Sequence, residues 1–290
     1  MIVFKAVSKS FADKPTAIVD LDLEINEGDL LVITGPSGTG KTTLMKLLIG
    51  EYLPSKGEIT FADWHLDKIK KSEIPSLRRQ IGVVFQDYKL IEDMNVWENI
   101  ALPLYISGKD DSEIESRVTD LLNLIGLADK ALFFPRQLSG GEAQRVSIAR
   151  ALAIAPKVIF ADEPTGNLDK EATLKITRLL KKINELGTTL LFATHDQLVL
   201  DELKDSKVVH LEKKNEKVEA VEPIKDEERE KVKAKQSKLE KELGEKKEKD
   251  KTEKVEKPKS KTSHKLSLPK LKLKIDLKKN KKEEEKHEST

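Results

Sequence analysis

Residues 35–42 read Gly-Pro-Ser-Gly-Thr-Gly-Lys-Thr, which fits the spacing G-x-x-x-x-G-K-[ST]. The chemistry this pattern could do is the cradling of phosphate. Gly35, Gly38 and Gly40 can take positive φ and turn successive backbone N–H groups onto phosphate oxygens. A helix predicted to begin near Lys41 aims its positive dipole end at the same anion. Lys41 has the length to reach β- and γ-phosphates, and Thr42 can offer its hydroxyl to Mg²⁺. Pro36, Ser37, Thr39 and Thr43 complete the expected contact surface. The residues point to a nucleoside triphosphate.

Two further groups could act on it. Asp162 and Glu163 close a fully apolar run from Val158 to Ala161. Side chains alternate direction along a strand, so one carboxylate can face Mg²⁺ while its neighbour faces a water set to attack the γ-phosphate. Glu163 is the candidate base and Asp162 the candidate metal ligand. Ser139-Gly140-Gly141-Glu142 is a second glycine-rich turn that opens a helix, and so a second potential anion site.

The elements that must position these groups follow from periodicity. Ile2–Val7 and Ala17–Ile25 alternate apolar and polar residues as half-buried antiparallel strands do. Leu30–Thr34 predicts the buried strand that ends at the first turn, with Gly50 capping the helix after it. Glu58–Phe61 and Ile81–Phe85 predict strands, and Ser72–Arg79 a helix with Pro75 in its first turn. Three-to-four spacing predicts helices over 95–106 and 110–125, the second closed by Gly126. Further helices are expected over 142–154 and 170–186, with a short one ending at 201–203. Strands are expected at 188–193 and 208–211. Strands alternating with helices predict an α/β core with a mostly parallel sheet, an N-terminal antiparallel part and a helical insert at about 87–140.

Composition divides the chain at about residue 222. From Pro223 to Thr290 there are 24 Lys/Arg, 16 Asp/Glu and no aromatic residue, leaving 29 basic and 35 acidic residues before it. A net formal charge of +2 thus hides an acidic body and a basic tail. Dense charge with little apolar surface cannot offset an ordering cost of about 1–2 kcal/mol per residue, so 223–290 is expected to be disordered. Within it, 226–257 could form a solvated charged helix, and the leucines and isoleucine at 266–277 alternate largely with lysines. That pattern suits strand addition to a partner protein or attraction to anionic lipid. The absence of cysteine excludes disulfides and thiolate chemistry and is compatible with a reducing cytosol. No run of about 18 apolar residues is present. The opening residues read as a strand rather than a signal peptide.

The stretch after the second turn continues Ala143-Gln144-Arg145-Val146-Ser147-Ile148-Ala149-Arg150-Ala151-Leu152. With Ser139–Glu142 it resembles the signature motif of the ATP-binding cassette family, and residues 1–212 accommodate every motif of that family. The resemblance implies that Gly35–Thr42 is the Walker A loop and Val158–Asp162 the Walker B strand. Glu163 then stands at the catalytic glutamate and Gln86 at the Q-loop glutamine, which senses metal and attacking water. Gly166-Asn167-Leu168-Asp169 resembles the D-loop, so Asp169 is carried over as a nucleotide-side residue. His195 matches the switch histidine at the γ-phosphate, and Phe11 the aromatic that stacks on adenine. His65, His210, His264 and His287 match nothing and are expected on the surface.

The resemblance also implies a head-to-tail homodimer. Each ATP would lie between one subunit's Gly35–Thr42 loop and the other's Ser139–Glu142 turn, and closure would move a membrane partner. Ser72–Leu90 and Asn95–Leu104 resemble the cell-division branch of the family, which controls septal peptidoglycan hydrolysis through an integral membrane subunit. Lipoprotein-releasing and macrolide-export ATPases, which share Ala161–Asp169, are the alternative. Tyr88, Leu90, Met94 and Trp97 are candidates for the docking surface or for ordinary core. The location implied is cytoplasmic, on the inner face of the cell membrane. A basic tail without aromatics gives only weak, salt-sensitive contact to nucleic acid, so no specific nucleic-acid partner is expected.

Overall fold

A computed structural model describes residues 1–11, 14–212 and 220–221. The expectations for 223–290, with His264 and His287, fall outside the described residues.

Strands β1 (Ile2–Phe11) and β2 (Lys14–Ile25) form a long hairpin, and β3 (Leu30–Thr34) runs into the first glycine-rich turn. Helix α1 (Lys41–Leu48) follows, then β4 (Lys56–Phe61), β5 (Trp64–His65), α2 (Ile74–Arg78) and β6 (Ile81–Phe85). A helical stretch holds α3 (Val96–Ile106), α4 (Asp111–Ile125) and two 3-10 turns, Ala128–Lys130 and Pro135–Gln137. The chain then runs through α5 (Gly140–Leu152), β7 (Val158–Asp162), α6 (Lys170–Glu185), β8 (Thr189–Ala193), α7 (Gln197–Glu202), β9 (Lys207–His210) and β10 (Ala220–Val221).

Two sheets result. An antiparallel sheet has the order β2-β1-β4-β5, and a six-stranded sheet the order β10-β9-β3-β8-β7-β6. In the second sheet β9, β3, β8, β7 and β6 are mutually parallel, and β10 joins antiparallel. Its central strands are apolar on both faces because each face covers a core. Leu31, Ile33, Val158, Phe160, Leu191 and Ala193 pack into a core shared with α1 and the antiparallel sheet. Their chain neighbours Val32, Ile159, Ala161, Leu190 and Phe192 pack into the core shared with α3–α6. The period of two along each strand produces this division. Phe160 and Phe192 are fully buried, and truncating either to Ala would cost about 3–5 kcal/mol.

The helix starts are set by side chains. Asn95, Asp110, Ser139, Asp169 and Asp196 each accept a backbone N–H of the helix they precede. Gly126 ends α4 in the left-handed region at φ 65°. Ser72 and Glu73 lie outside α2, which Pro75 confines to a start at Ile74.

Candidate active site for a phosphorylated nucleotide

The parallel strands deliver the candidate residues to one edge, outside their carboxyl ends, where open α/β sheets hold ligands. β3 leads directly to Gly35 and β6 to Gln86, β7 ends at Asp162, and β8 leads to His195. Because β8 lies between β3 and β7, the histidine arrives between the phosphate loop and the acidic pair.

The loop has the predicted backbone, with Gly35, Gly38 and Gly40 at φ 145°, 80° and 104°. A Cβ at Gly40 would come within 2.6 Å of the Ala17 carbonyl, so β2 presses directly on the loop. Gly40 caps α1 with no side chain, and no acidic residue stands in the helix's first turn. The N–H groups there are left for an anion. The Lys41 ammonium is buried. It donates to the Gly35 carbonyl at 2.8 Å and to the Pro36 carbonyl at 3.3 Å, and lies 3.3 Å from Glu163 Oε1. Thr39 turns inward and donates its hydroxyl to the Pro36 carbonyl at 2.9 Å.

Glu163 is held from two sides. Its other oxygen, Oε2, lies 3.2 Å from His195 Nδ1, and His195 is half exposed. The Glu163 backbone is left-handed at φ 47°, pinned by its N–H donating to the Ala193 carbonyl at 2.9 Å. A non-glycine residue in that region stores strain of about 1–3 kcal/mol, and such strain clusters at functional sites. Thr42 donates its hydroxyl to Asp162 Oδ2 at 2.8 Å, while Asp162 Oδ1 is buried with no protein partner. Burial pushes the Asp162 carboxyl above the ordinary range, and the Thr42 hydrogen bond opposes it.

These groups bound a cleft of about 310 Å³ lined by Ser37, Gly38, Gly40–Thr43, Gln86, Asp162, Glu163 and, from β2, Ala17. The orphaned oxygen of Asp162 beside the Thr42 hydroxyl suits Mg²⁺, which takes one or two protein oxygens and keeps water and phosphate for the rest. Among the described residues, no group of three or more His, Cys, Asp or Glu is arranged to hold a metal by itself.

Gln86 donates from Nε2 to Asn167 Oδ1 at 3.3 Å, and Asn167 donates from Nδ2 to the Gln86 carbonyl at 3.2 Å. Phe11 is not on the cleft wall; its ring meets Tyr52 edge-on at 5.2 Å, with Lys9 Nζ 5.2 Å from its centroid. Ser139–Glu142 is likewise not on that wall. There Ser139 donates its N–H to Glu142 Oε2 at 2.9 Å, and Glu142 donates its N–H to Ser139 Oγ at 3.4 Å. Asp169 spends an oxygen on the Ala172 N–H at 2.8 Å, capping α6. Leu90 and Trp97 pack on the core while remaining partly exposed. The Tyr88 hydroxyl lies against Gly140.

Sequence reasoning assigns no role to Lys130 or Arg150. Arg150 donates to the Lys89 carbonyl at 2.6 Å and the Tyr88 carbonyl at 2.9 Å, clamping two left-handed residues after Gln86. Sixty-one residues separate Arg150 from Lys89, so no local pattern could have revealed this contact.

A phosphate loop after one parallel strand, a carboxylate pair after another and a histidine from the strand between them define a phosphate-loop nucleotide hydrolase. Residues 18–166 match the family described as ABC transporter. The cell division ATP-binding protein FtsE of Escherichia coli (strain K12) is 46% identical over 196 residues, which cover 68% of this chain and 88% of that protein. FtsE of Bacillus subtilis (strain 168) is 44% identical over 204 residues, covering 70% and 90%. The dimeric structure of a post-hydrolysis state of the ATP-binding cassette MJ0796 bound to ADP and Pi superposes with a TM-score of 0.67 at 34% identity. The match covers 77% of this chain and all of that one. The chain belongs to the ATP-binding cassette family.

Proposed function

We propose that this chain is the ATP-hydrolysing subunit of an FtsEX-type membrane complex that acts in cell division. What carries the chemical reading is Glu163, fixed between Lys41 and His195 on the wall of the cleft that the glycine-rich loop also lines. What supports the biological reading is likeness to FtsE over most of that protein's length.

The N–H groups of 38–43 and the Lys41 ammonium hold the β- and γ-phosphates. Thr42 and Asp162, with Gln86 lining the same cleft, would hold Mg²⁺, which would supply neutralisation of phosphate charge. Glu163 accepts the proton of the attacking water, and His195 orients its carboxylate and faces the γ-phosphate. Phe11 offers a ring face to adenine.

Ser139–Glu142 lies off the cleft wall, so its glycine N–H groups serve the nucleotide of a second copy in a head-to-tail dimer. The dimeric ADP- and Pi-bound structure of MJ0796 supports this pairing. Asp169 would act from the same interface. No described helix is long and apolar enough to cross a membrane. Likeness to FtsE supports an integral membrane partner resembling FtsX, with this chain on the cytoplasmic face and residues 1–222 forming the ATPase domain.

Affinity purification from membranes, with ATP hydrolysis measured on the product, tests the reading. Recovery of an FtsX-like protein with Mg²⁺-dependent hydrolysis is expected. Recovery of a lipoprotein-release or macrolide-efflux permease would replace the division role and leave the ATPase standing.

A further inference from the structure

The second glycine-rich turn carries a charge that the first does not. The reciprocal cap that starts α5 needs Glu or Gln three residues after Ser139. Gln would complete it without charge, whereas Glu142 brings a carboxylate to the helix end that the proposed dimer aims at a phosphate. The helix dipole favours that carboxylate inside the chain, but an arriving phosphate meets it as a like charge.

Lys130 answers this conflict. It ends the 3-10 turn Ala128–Lys130, and its ammonium lies 2.5 Å from Glu142 Oε1, with both side chains largely covered (28% and 18% exposed). The other oxygen of Glu142 stays on the Ser139 N–H at 2.9 Å, so cap and ion pair use different atoms. The Lys130 ammonium also lies 5.7 Å from the centre of the Phe133 ring.

We propose that Lys130 is a positioning residue of the nucleotide site: it cancels the charge of Glu142 and locks its cap, leaving the Gly140 and Gly141 N–H groups able to receive the phosphate held by a second copy. The Lys130 hydrogen bond, and after it the Ser139 N–H, hold the Glu142 carboxyl down at about 2, so the charge to be cancelled is permanent at neutral pH. The proposal rests on the composite-site reading above.

The test is ATP-dependent dimerisation of the full chain carrying Glu163→Gln, followed by sedimentation, so the readout is mass rather than turnover. Lys130→Met should raise the ATP concentration for half-dimerisation about thirtyfold, the scale of one unpaired charge roughly 8 Å from a phosphate in an effective dielectric of about 20. Lys130→Arg should match the parent. Adding Glu142→Gln to Lys130→Met should bring the midpoint back to that of the parent, because the net charge at the turn is again zero. If Lys130→Met fails to fold by thermal melting, Lys130→Gln takes its place.

A parent-like midpoint for Lys130→Met, or a loss that persists undiminished with Glu142→Gln, would overturn the proposal and leave Lys130 as packing for Phe133. Ser139→Arg is run alongside. If it dimerises like the parent, or the parent itself does not dimerise with ATP, the composite-site reading fails instead.

Discussion

The turn at 35–42 enters α1 with no side-chain cap and no acidic residue in the first helical turn, whereas the turn at 139–142 enters α5 with a complete reciprocal cap and a paired carboxylate. Both are glycine-rich and both open a helix. The first leaves the N–H groups that open α1 without a side-chain cap, adds a buried lysine and abuts Asp162 and Glu163, so it can hold phosphate within one chain. The second has used side chains on the Ser139 and Glu142 N–H groups, keeps only those of Gly140 and Gly141, and does not line that cleft. Helix entry alone therefore does not make an anion site. What distinguishes the two turns is which donors remain and what charge surrounds them.

The comparison can be broken most severely at Lys41. Lys41→Ala should lower hydrolysis about a hundredfold to a thousandfold, the usual effect of removing one preorganised donor from a developing charge. Steady-state phosphate release measures it. Gly40→Ala comes next, since it places a Cβ 2.6 Å from the Ala17 carbonyl at a φ of 104°. It should lower unfolding free energy by about 2 kcal/mol, read by urea denaturation, and weaken ATP binding with it.

Ser139→Ala should cost about 1 kcal/mol through loss of the α5 cap, seen as faster amide exchange in the first turn of that helix. The equivalent position before α1 is a glycine and offers no such effect. The smallest effect concerns pH. Glu142 has a folded pKa of about 2, below its unfolded value, so its pairing stabilises the fold at neutral pH. That contribution is lost as pH falls from the ordinary carboxylate range towards 2. The melting temperatures of the natural chain and Glu142→Gln should therefore converge over that acid window and stay separated above it.

Much of this architecture is legible in local patterns of the chain. β6 spans Ile81–Phe85 and α6 starts at Lys170, as periodicity predicts, because an apolar run and an aspartate cap are local signals. The start of α5 moves from 142 to Gly140, since glycines are poor helix formers and it is the Ser139 cap that sets the boundary. β5, Trp64–His65, is too short to show a period and exists through its pairing with Thr60 and Phe61. The spacing of Gly35, Lys41, Asp162 and Glu163 announces the site. The strain at Glu163 and the pairing of Lys130 with Glu142 arise from tertiary placement, which no spacing encodes.

The central claim is that the two turns are halves of one site supplied by different chains. Mixing a Lys41→Ala chain with a Ser139→Arg chain tests it directly, since only the mixed pair contains one phosphate loop and one second turn that are both intact and facing each other. The account predicts ATP hydrolysis in the mixture that neither chain shows alone. Hydrolysis no greater than the sum of the separate chains would contradict it.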